Sequence, residues 1–454
     1  MTASSVGFAE ISTHVLIEQI IAEIKEQYLA DPTPWIVGFS GGKDSTTLLQ
    51  LVFFSLIELQ NEGTPLHKEI HVLCNDTLVE NPAVVRWIDD TLDKIRAAGE
   101  NCGFPLKVVK VTPVLADTFW INLIGKGYPS PNRFFRWCTE RMKINPTNNY
   151  IKNTLGENGE AIILLGTRKA ESTNRKASMA RHERRYSRLR KHQLPGVYVF
   201  APIADLTDDH VWTYLLQVPS PWRGDNRKLF TLYRNASGGE CPLVIDTSTP
   251  SCGNSRFGCW TCTVVDEDKS MEGLIDTGEY WMEPLLEMRD WLKKIRDDAT
   301  MRQTYRRNLQ DGIGPFTKET RAAILRRLLA VQKEIEMPLI TSEELSGIQW
   351  IWYHDFHDAP SVTKIYYEVF GEEFAMNKEI NERRAKDRVL LEEVCQEQGV
   401  PVELVEQLLQ IEKDKSGLMR RNNLFKDIDM ALKNYLKRQE DEANRNDSQK
   451  SSSA

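Results

Sequence analysis

Over the first half of the chain, short and nearly all-apolar runs alternate with longer stretches of helical periodicity. IVGF (36–39), IHVLC (70–74), LKVVKV (106–111), AIILLG (161–166) and VYVFAPI (197–203) read as strands. Helical patterns follow them over 46–60 and in NPAVVRWIDDTLDKIRAAG, and Thr207 is a natural N-cap for the helix beginning DDHVWTYLL. Ahead of the first strand, residues 11–30 place Val15, Leu16, Ile20, Ala22 and Ile24 at helical spacing. Strands that are apolar on both faces belong in a parallel sheet covered by helices on both sides. The expected fold is therefore α/β, a twisted parallel sheet whose ligand sits beyond the carboxyl ends of the strands.

Near residue 218 the alternation stops. Residues 218–265 are rich in Pro, Gly and Ser and hold four cysteines, which suggests a loop-rich insert needing a staple other than apolar packing. From 284 the pattern is helical, with Ile324, Leu325, Leu328, Leu329 and Ile335 on one face and a capping box from Thr341 to Glu344. The cluster of Trp350, Trp352, Tyr353, His354 and His357 reads as core packing. The predicted organisation is an N-terminal helix (1–30), a sheet domain (31–217), a cysteine-rich insert (218–283), a helical region (284–438) and a disordered tail (439–454).

With 454 residues, two or three domains are expected, and 41% hydrophobic with 27% charged residues is a globular composition. The longest apolar run falls far short of a membrane span and no secretory leader is visible, so a cytoplasmic setting is expected. In a reducing compartment the eight cysteines suit ligands, redox groups or buried thiols better than disulfides. A net charge of −7 argues against a uniformly basic nucleic-acid binder.

Between the first strand and its helix lies Ser40-Gly41-Gly42-Lys43-Asp44-Ser45. Adjacent glycines let the backbone approach an anion, and the first N–H groups of the helix point at it. Lys43 adds a charge, while Ser40 and Ser45 add hydroxyl donors. The spacing is not that of a Walker loop.

This loop resembles the SGGxDS loop of the PP-loop ATP pyrophosphatases, which cleave ATP between the α and β phosphates. The order of later motifs is similar to the phosphoadenosine phosphosulfate reductase branch: Asp76-Thr77, Arg136-Trp137-Cys138, Gly166-Thr167-Arg168-Lys169-Ala170-Glu171-Ser172, and Pro202-Ile203 with Trp212. That likeness covers residues 31 to about 217. Those reductases use a cysteine near the C-terminus, and here none follows Cys395. With the cysteine insert and the helical region included, the chain looks like the sulfurtransferase-like ATP pyrophosphatases of bacterial DNA phosphorothioation, which replace a non-bridging phosphate oxygen of DNA by sulfur.

The resemblance implies ATP held by Ser40, Gly41, Gly42, Lys43, Asp44, Ser45, Asp76, Thr77, Gly166 and Arg168, with Lys43, Asp44, Ser45 and Cys138 catalytic. It implies Mg²⁺ on the pyrophosphate oxygens with Asp44 as a partner, a cysteine desulfurase as sulfur donor, and DndD and DndE as companion proteins; no membrane is involved. Alternative readings are a phosphoadenosine phosphosulfate or adenosine phosphosulfate reductase-like enzyme, an Fe–S-containing ATP-sensing DNA-binding subunit, and a tRNA thiolase.

Cys241, Cys252, Cys259 and Cys262 are spaced C-x10-C-x6-C-x2-C, which suits zinc or an iron–sulfur cluster. The resemblance implies a [4Fe-4S] cluster, with Zn²⁺ as the alternative. Arg133, Arg136, Arg141 and Lys143 flank Cys138, so a stabilised thiolate, acting as nucleophile or persulfide carrier, is expected there. Should Cys138 be a ligand instead, Cys241 drops out of the set. Cys74 reads as a core residue and Cys102 as incidental.

Residues 168–192 hold ten Lys or Arg against two acids. Such a segment suits a phosphate backbone, and Tyr186 offers a stacking surface. The expected DNA contacts are Arg175, Lys176, Arg181, Arg184, Arg185 and Arg188, with Arg133 and Arg136; Arg168 and Arg175 lie nearest the strand end, by ATP or the target phosphate.

Overall fold

The computed structural model describes residues 12–155, 159–171, 189–192, 194–236, 258–304, 312–355, 362–374, 378–415 and 424–451. Two compact units emerge: one of Met1–Thr112, Lys143–Trp260 and Glu267–Met282, the other of Pro113–Met142, Thr261–Asp266 and Glu283–Ala454.

The first unit is built on six strands, β1 (Trp35–Gly38), β2 (Ile70–Asn75), β3 (Leu106–Val111), β4 (Ala161–Leu164), β5 (Arg190–Lys191) and β6 (Val197–Phe200), in the order β3-β2-β1-β4-β6-β5. All pairs are parallel except β5 with β6, a two-residue antiparallel edge that the apolar pattern did not predict because it is made of basic residues. Side chains alternate between faces. Trp35 and Val37 of β1, with Ile162 and Leu164 of β4, join one apolar cluster, while Ile36, Ala161 and Ile163 join the other. Both faces are covered, as the unbroken apolar runs required.

Five helices carry the cover. They are α1 (Thr13–Ala30), α2 (Lys43–Asn61), α3 (Pro82–Asn101), α4 (Asn145–Leu155) and α5 (Asp208–Gln217). The buried face of α1 is Ile17, Ile20, Ile24 and Tyr28; Val15, expected on that face, is exposed. Thr207 caps α5 in a capping box with His210. Two further helices, α6 (Asn226–Asn235) and α7 (Lys269–Asp276), follow in this unit. Trp222, Leu229 and Tyr233 lie in the main sheet cluster, so packing on the sheet continues past residue 217, where composition had placed the start of the insert. The Cys and Gly content of 218–265 masked that apolar spacing.

The second unit is helical: α8 (Glu283–Arg296), α9 (Lys318–Ile335), α10 (Ser342–Asp355), α11 (Val362–Phe370), α12 (Lys378–Gln398), α13 (Val402–Lys415) and α14 (Leu424–Ser451). Ile324, Leu325, Leu328 and Leu329 are fully buried, and Trp352 is buried with its indole N–H donating to the Ile124 carbonyl. The Thr341 to Glu344 capping box forms in both directions. α14 continues to Ser451, through most of the segment expected to be a disordered tail. No helix among the described residues is long and apolar enough to cross a membrane.

Candidate nucleotide site

The strand order reverses between β1 and β4, and the Ser40–Ser45 loop leaves the sheet at that point. Gly41 has φ +71° and Gly42 is the N-cap of α2, with no side chain to satisfy the helix's first amides. α2 begins at Lys43, three residues before the predicted start, so Lys43, Asp44 and Ser45 occupy its first turn. A Cβ on Gly41 would lie 2.5 Å from Ile88 Cγ1, and the Trp87 indole N–H donates to the Gly41 carbonyl at 3.0 Å. Ser45 Oγ sits 3.1 Å from Ser40 Oγ, accepts from the Ser40 N–H at 3.2 Å and donates to the Gly42 carbonyl at 3.0 Å. The loop is thus closed on itself with its amides at the helix N-terminus, an arrangement that favours an anion.

Behind the loop four charges interlock. Arg168 Nε donates to Asp44 Oδ1 at 2.7 Å, another guanidinium nitrogen donates to Asp208 Oδ1 at 2.6 Å, and a third donates to the Leu206 carbonyl at 3.1 Å. Lys43 Nζ lies 3.3 Å from both Asp44 Oδ2 and Asp208 Oδ1. Burial alone would depress the Lys43 ammonium; the Tyr233 oxygen and the two carboxylates outweigh it and hold Lys43 above the ordinary lysine value. Arg168 follows the same balance, burial against Asp44 and Asp208, and is also raised. Burial works against the Asp208 carboxylate too, yet Lys43 and Arg168 keep it below the ordinary aspartate value. Lys43, Arg168 and Asp208 are therefore all charged at neutral pH.

Arg168, expected on the nucleotide, is a buried residue turned onto two carboxylates, its side chain only 1% exposed. Asp208 was missed because an acid in the first turn of a helix is ordinary capping chemistry; its position after the last long strand was the available signal. Tyr233 was missed as well. Its hydroxyl accepts the Lys43 backbone N–H at 3.3 Å across 190 residues of chain.

Gly166, at the end of β4, has a steric reason to be glycine: a Cβ there would meet the Asp44 backbone C and O at 2.9 Å. Asp76, at the end of β2, accepts from the Leu78 N–H at 2.8 Å and from Lys110 Nζ at 3.0 Å. Thr77 is fully buried and donates to Glu80 Oε1 at 2.9 Å.

Of the cysteines, Cys259 lies in the first unit beside Thr77, while Cys262 and the half-buried Cys138 belong to the second. The Cys262 carbonyl accepts from the fully buried Arg289 at 2.9 Å. Cys241 and Cys252 lie outside the described residues, as do Arg175, Lys176, Arg181, Arg184, Arg185 and Arg188. Among the described residues, no group of three or more His, Cys, Asp or Glu converges to hold a metal ion. Three of the four basic residues expected around Cys138 have carboxylates of their own. Arg141 forms a buried pair with Asp117 at 2.7 Å, Arg133 meets Asp266 at 3.3 Å, and Lys143 lies 3.7 Å from Glu80; Arg136 is exposed.

A parallel α/β sheet with a glycine-rich anion loop at its order reversal defines a nucleotide-handling domain of the PP-loop class. Residues 34–265, half of the chain, match the phosphoadenosine phosphosulfate reductase domain family, and the chain belongs to it. Residues 386–433 match a second family, described as a small protein found in certain Dnd DNA modification systems. An uncharacterized protein of Methanocaldococcus jannaschii is 29% identical over 202 residues, 44% of this chain and 35% of its own length. The match therefore spans about a third of that curated relative. Among solved structures, a phosphoadenylyl-sulfate reductase from Candida auris in a phosphate complex is 12% identical over 48% of this chain and 92% of its own, with a TM-score of 0.28. A U34-tRNA thiolase from Methanococcus maripaludis, with its [4Fe-4S] cluster, is 13% identical over 63% and 79%, with a TM-score of 0.26.

Proposed function

We propose that this chain is an ATP-dependent sulfurtransferase of the DndC type, modifying the phosphate backbone of DNA. The observation that carries the reading is the glycine loop closed over the N-terminus of α2 with Lys43 and Ser45 in its first turn, in a chain whose later residues match a Dnd-system family. The loop amides, Lys43 and Ser45 hold the β and γ phosphates, leaving the α-phosphorus open to an acceptor. Asp44 supplies a carboxylate for a Mg²⁺ ion, which would neutralise phosphate charge. A non-bridging oxygen of a DNA phosphate attacks the α-phosphorus, a P–O bond forms, and pyrophosphate departs. The adenylated oxygen then leaves with AMP when sulfur attacks the DNA phosphorus. Cys138 supplies that sulfur as a persulfide charged by a cysteine desulfurase, and a second thiol gives the electron pair that cleaves the S–S bond.

Cys241, Cys252, Cys259 and Cys262 are assigned as ligands of a [4Fe-4S] cluster, or of zinc, on their thiolate chemistry. The basic segment from Arg175 to Arg188, with Arg133 and Arg136, is assigned to the DNA backbone, and DndD and DndE are the proposed partners.

A reductase reading draws support from the family match to residues 34–265. Against it, Cys395 is only 3% exposed on α12, buried where a mobile attacking thiol would need access. The test is incubation of anaerobically purified protein with ATP, Mg²⁺ and DNA. DNA-dependent release of AMP and pyrophosphate supports the proposal, and ADP with phosphate overturns it. Iron, sulfide and zinc content of the same preparation decides the cysteine assignment.

A further inference from the structure

Tyr233 belongs to no motif, yet it is the side chain from outside the loop that reaches the loop's first helical amide. It lies on α6, only 8% exposed, with its ring edge-on to Trp212 at 5.1 Å between centroids. The helix that carries it is fastened in place. Asn226, at its start, accepts from Gln50 of α2 at 2.8 Å and donates to the Leu215 carbonyl of α5 at 2.8 Å. The phenol oxygen takes the Lys43 N–H, and a Cβ on Gly42 would lie 3.1 Å from it. Lys43 Nζ stands 5.4 Å from the ring centroid, within cation–π range. Burial raises the phenol's pKa, so the group is a neutral O–H at working pH.

We infer that Tyr233 is a binding residue of the pyrophosphate subsite, its hydroxyl resting where a terminal phosphate oxygen arrives. The inference deepens the proposed ATP reading and rests on it. The Lys43 N–H offers a donor at the helix N-terminus, and in the structure the phenol oxygen is its acceptor. A phosphate oxygen accepts and never donates. When it takes the Lys43 N–H, the phenol turns its own O–H onto the same oxygen, so one acceptor exchanges for another and a neutral donor gains an anionic partner. The glycine at 42 makes this approach sterically open. Phenylalanine would keep the ring against Trp212 and Lys43 but could not donate.

Calorimetric titration of the full-length chain with inorganic pyrophosphate and with ATP tests this, comparing wild type with Tyr233→Phe. The expected result is a loss of roughly tenfold or more in affinity for both ligands, with the thermal midpoint of the unliganded chain lowered by no more than the loss of the one hydrogen bond from the Lys43 N–H. Unaltered binding by Tyr233→Phe overturns the inference and leaves the ATP reading standing. Tighter binding also overturns it, since the phenol would then block the site. Failure of the wild type to bind either ligand sinks the ATP reading itself, and this inference with it. Hydrogen exchange of the wild type needs no variant. Pyrophosphate should slow exchange in the Asn226–Asn235 segment as well as in the loop, and protection confined to the loop overturns the assignment.

Discussion

Thr77 Oγ1 lies 3.3 Å from Cys259 Sγ, so the nucleotide-motif threonine touches the first cysteine of the Cys-x-x-Cys pair across 182 residues of chain. Backbone pairing makes the contact: Asn81 N–H donates to the Gly258 carbonyl at 3.2 Å, and Trp260 N–H donates to Val79 at 3.0 Å. Thr77 also holds Glu80, so removing its hydroxyl leaves a largely buried carboxylate short of a donor. Replacement by the near-isosteric valine should cost about 1–3 kcal/mol in chemical denaturation, whereas serine, which keeps the hydroxyl, should cost less. A loss from serine as large as that from valine would show that the packing of the methyl group matters as much as the hydrogen bonds.

Gly166→Ala places a methyl group against the backbone of Asp44 and within 3.0 Å of the Ser45 nitrogen. No side chain can rotate away, so the first turn of α2 must shift. The expected cost is about 1–3 kcal/mol of stability. ATP affinity should fall in the same variant because the loop amides move with the helix. A variant that binds ATP like the wild type would mean that the turn is looser than the geometry implies.

The parallel sheet was legible because each strand is apolar on both faces, and Ile36 and Val37 do pack on opposite sides. The loop was legible because adjacent glycines and a lysine between strand and helix have few other uses. Partners set by tertiary contact were not. Arg168 reads as an anion ligand from its neighbours in the chain, yet Asp44 and Asp208, 124 residues before it and 40 after it, claim its nitrogens. Tyr233 could not be singled out from Phe230 on the same helix, because spacing says that both lie near the core and not which one reaches Lys43. The Cys259 contact was hidden for a like reason: its strand-like pairing with Glu80 is a short isolated bridge with no apolar alternation.

Asp208 ties stability to acid. Its folded pKa lies below the ordinary carboxylate value, so the unfolded chain binds the proton first as pH falls. The contribution is complete above about pH 4 and drains away as pH drops through the lower folded value. Asp208→Asn should remove this part of the pH dependence, so denaturation midpoints of variant and wild type should converge on acidification. Curves that stay parallel would show that Asp208 is not paired with Lys43 and Arg168 in solution.

Cys74 should be chemically silent in the folded chain, and the reason is solvation. The thiol is 1% exposed at the end of β2, and burial pushes its pKa up to about 12; Lys110 pulls the other way, but Asp76, Glu80 and Asp89 add to the rise. It lines a pocket of about 10 Å³, room for roughly one water and too small for an alkylating reagent. Only the thiolate is nucleophilic, and a pKa four units above pH 8 leaves on the order of one part in 10⁴ ionised. Native protein treated with iodoacetamide at pH 8 should therefore show Cys74 unmodified by peptide mass spectrometry while the half-buried Cys102 reacts. In denaturant the thiol returns to about 8.5 and should label readily. The same displacement has a stability consequence. Above about pH 8.5 the unfolded chain loses this proton before the folded one does, so folded stability should decline as pH rises, and Cys74→Ala should flatten that limb. Labelling of Cys74 at the rate of Cys102 in the native chain would contradict the buried position that the sheet assigns it.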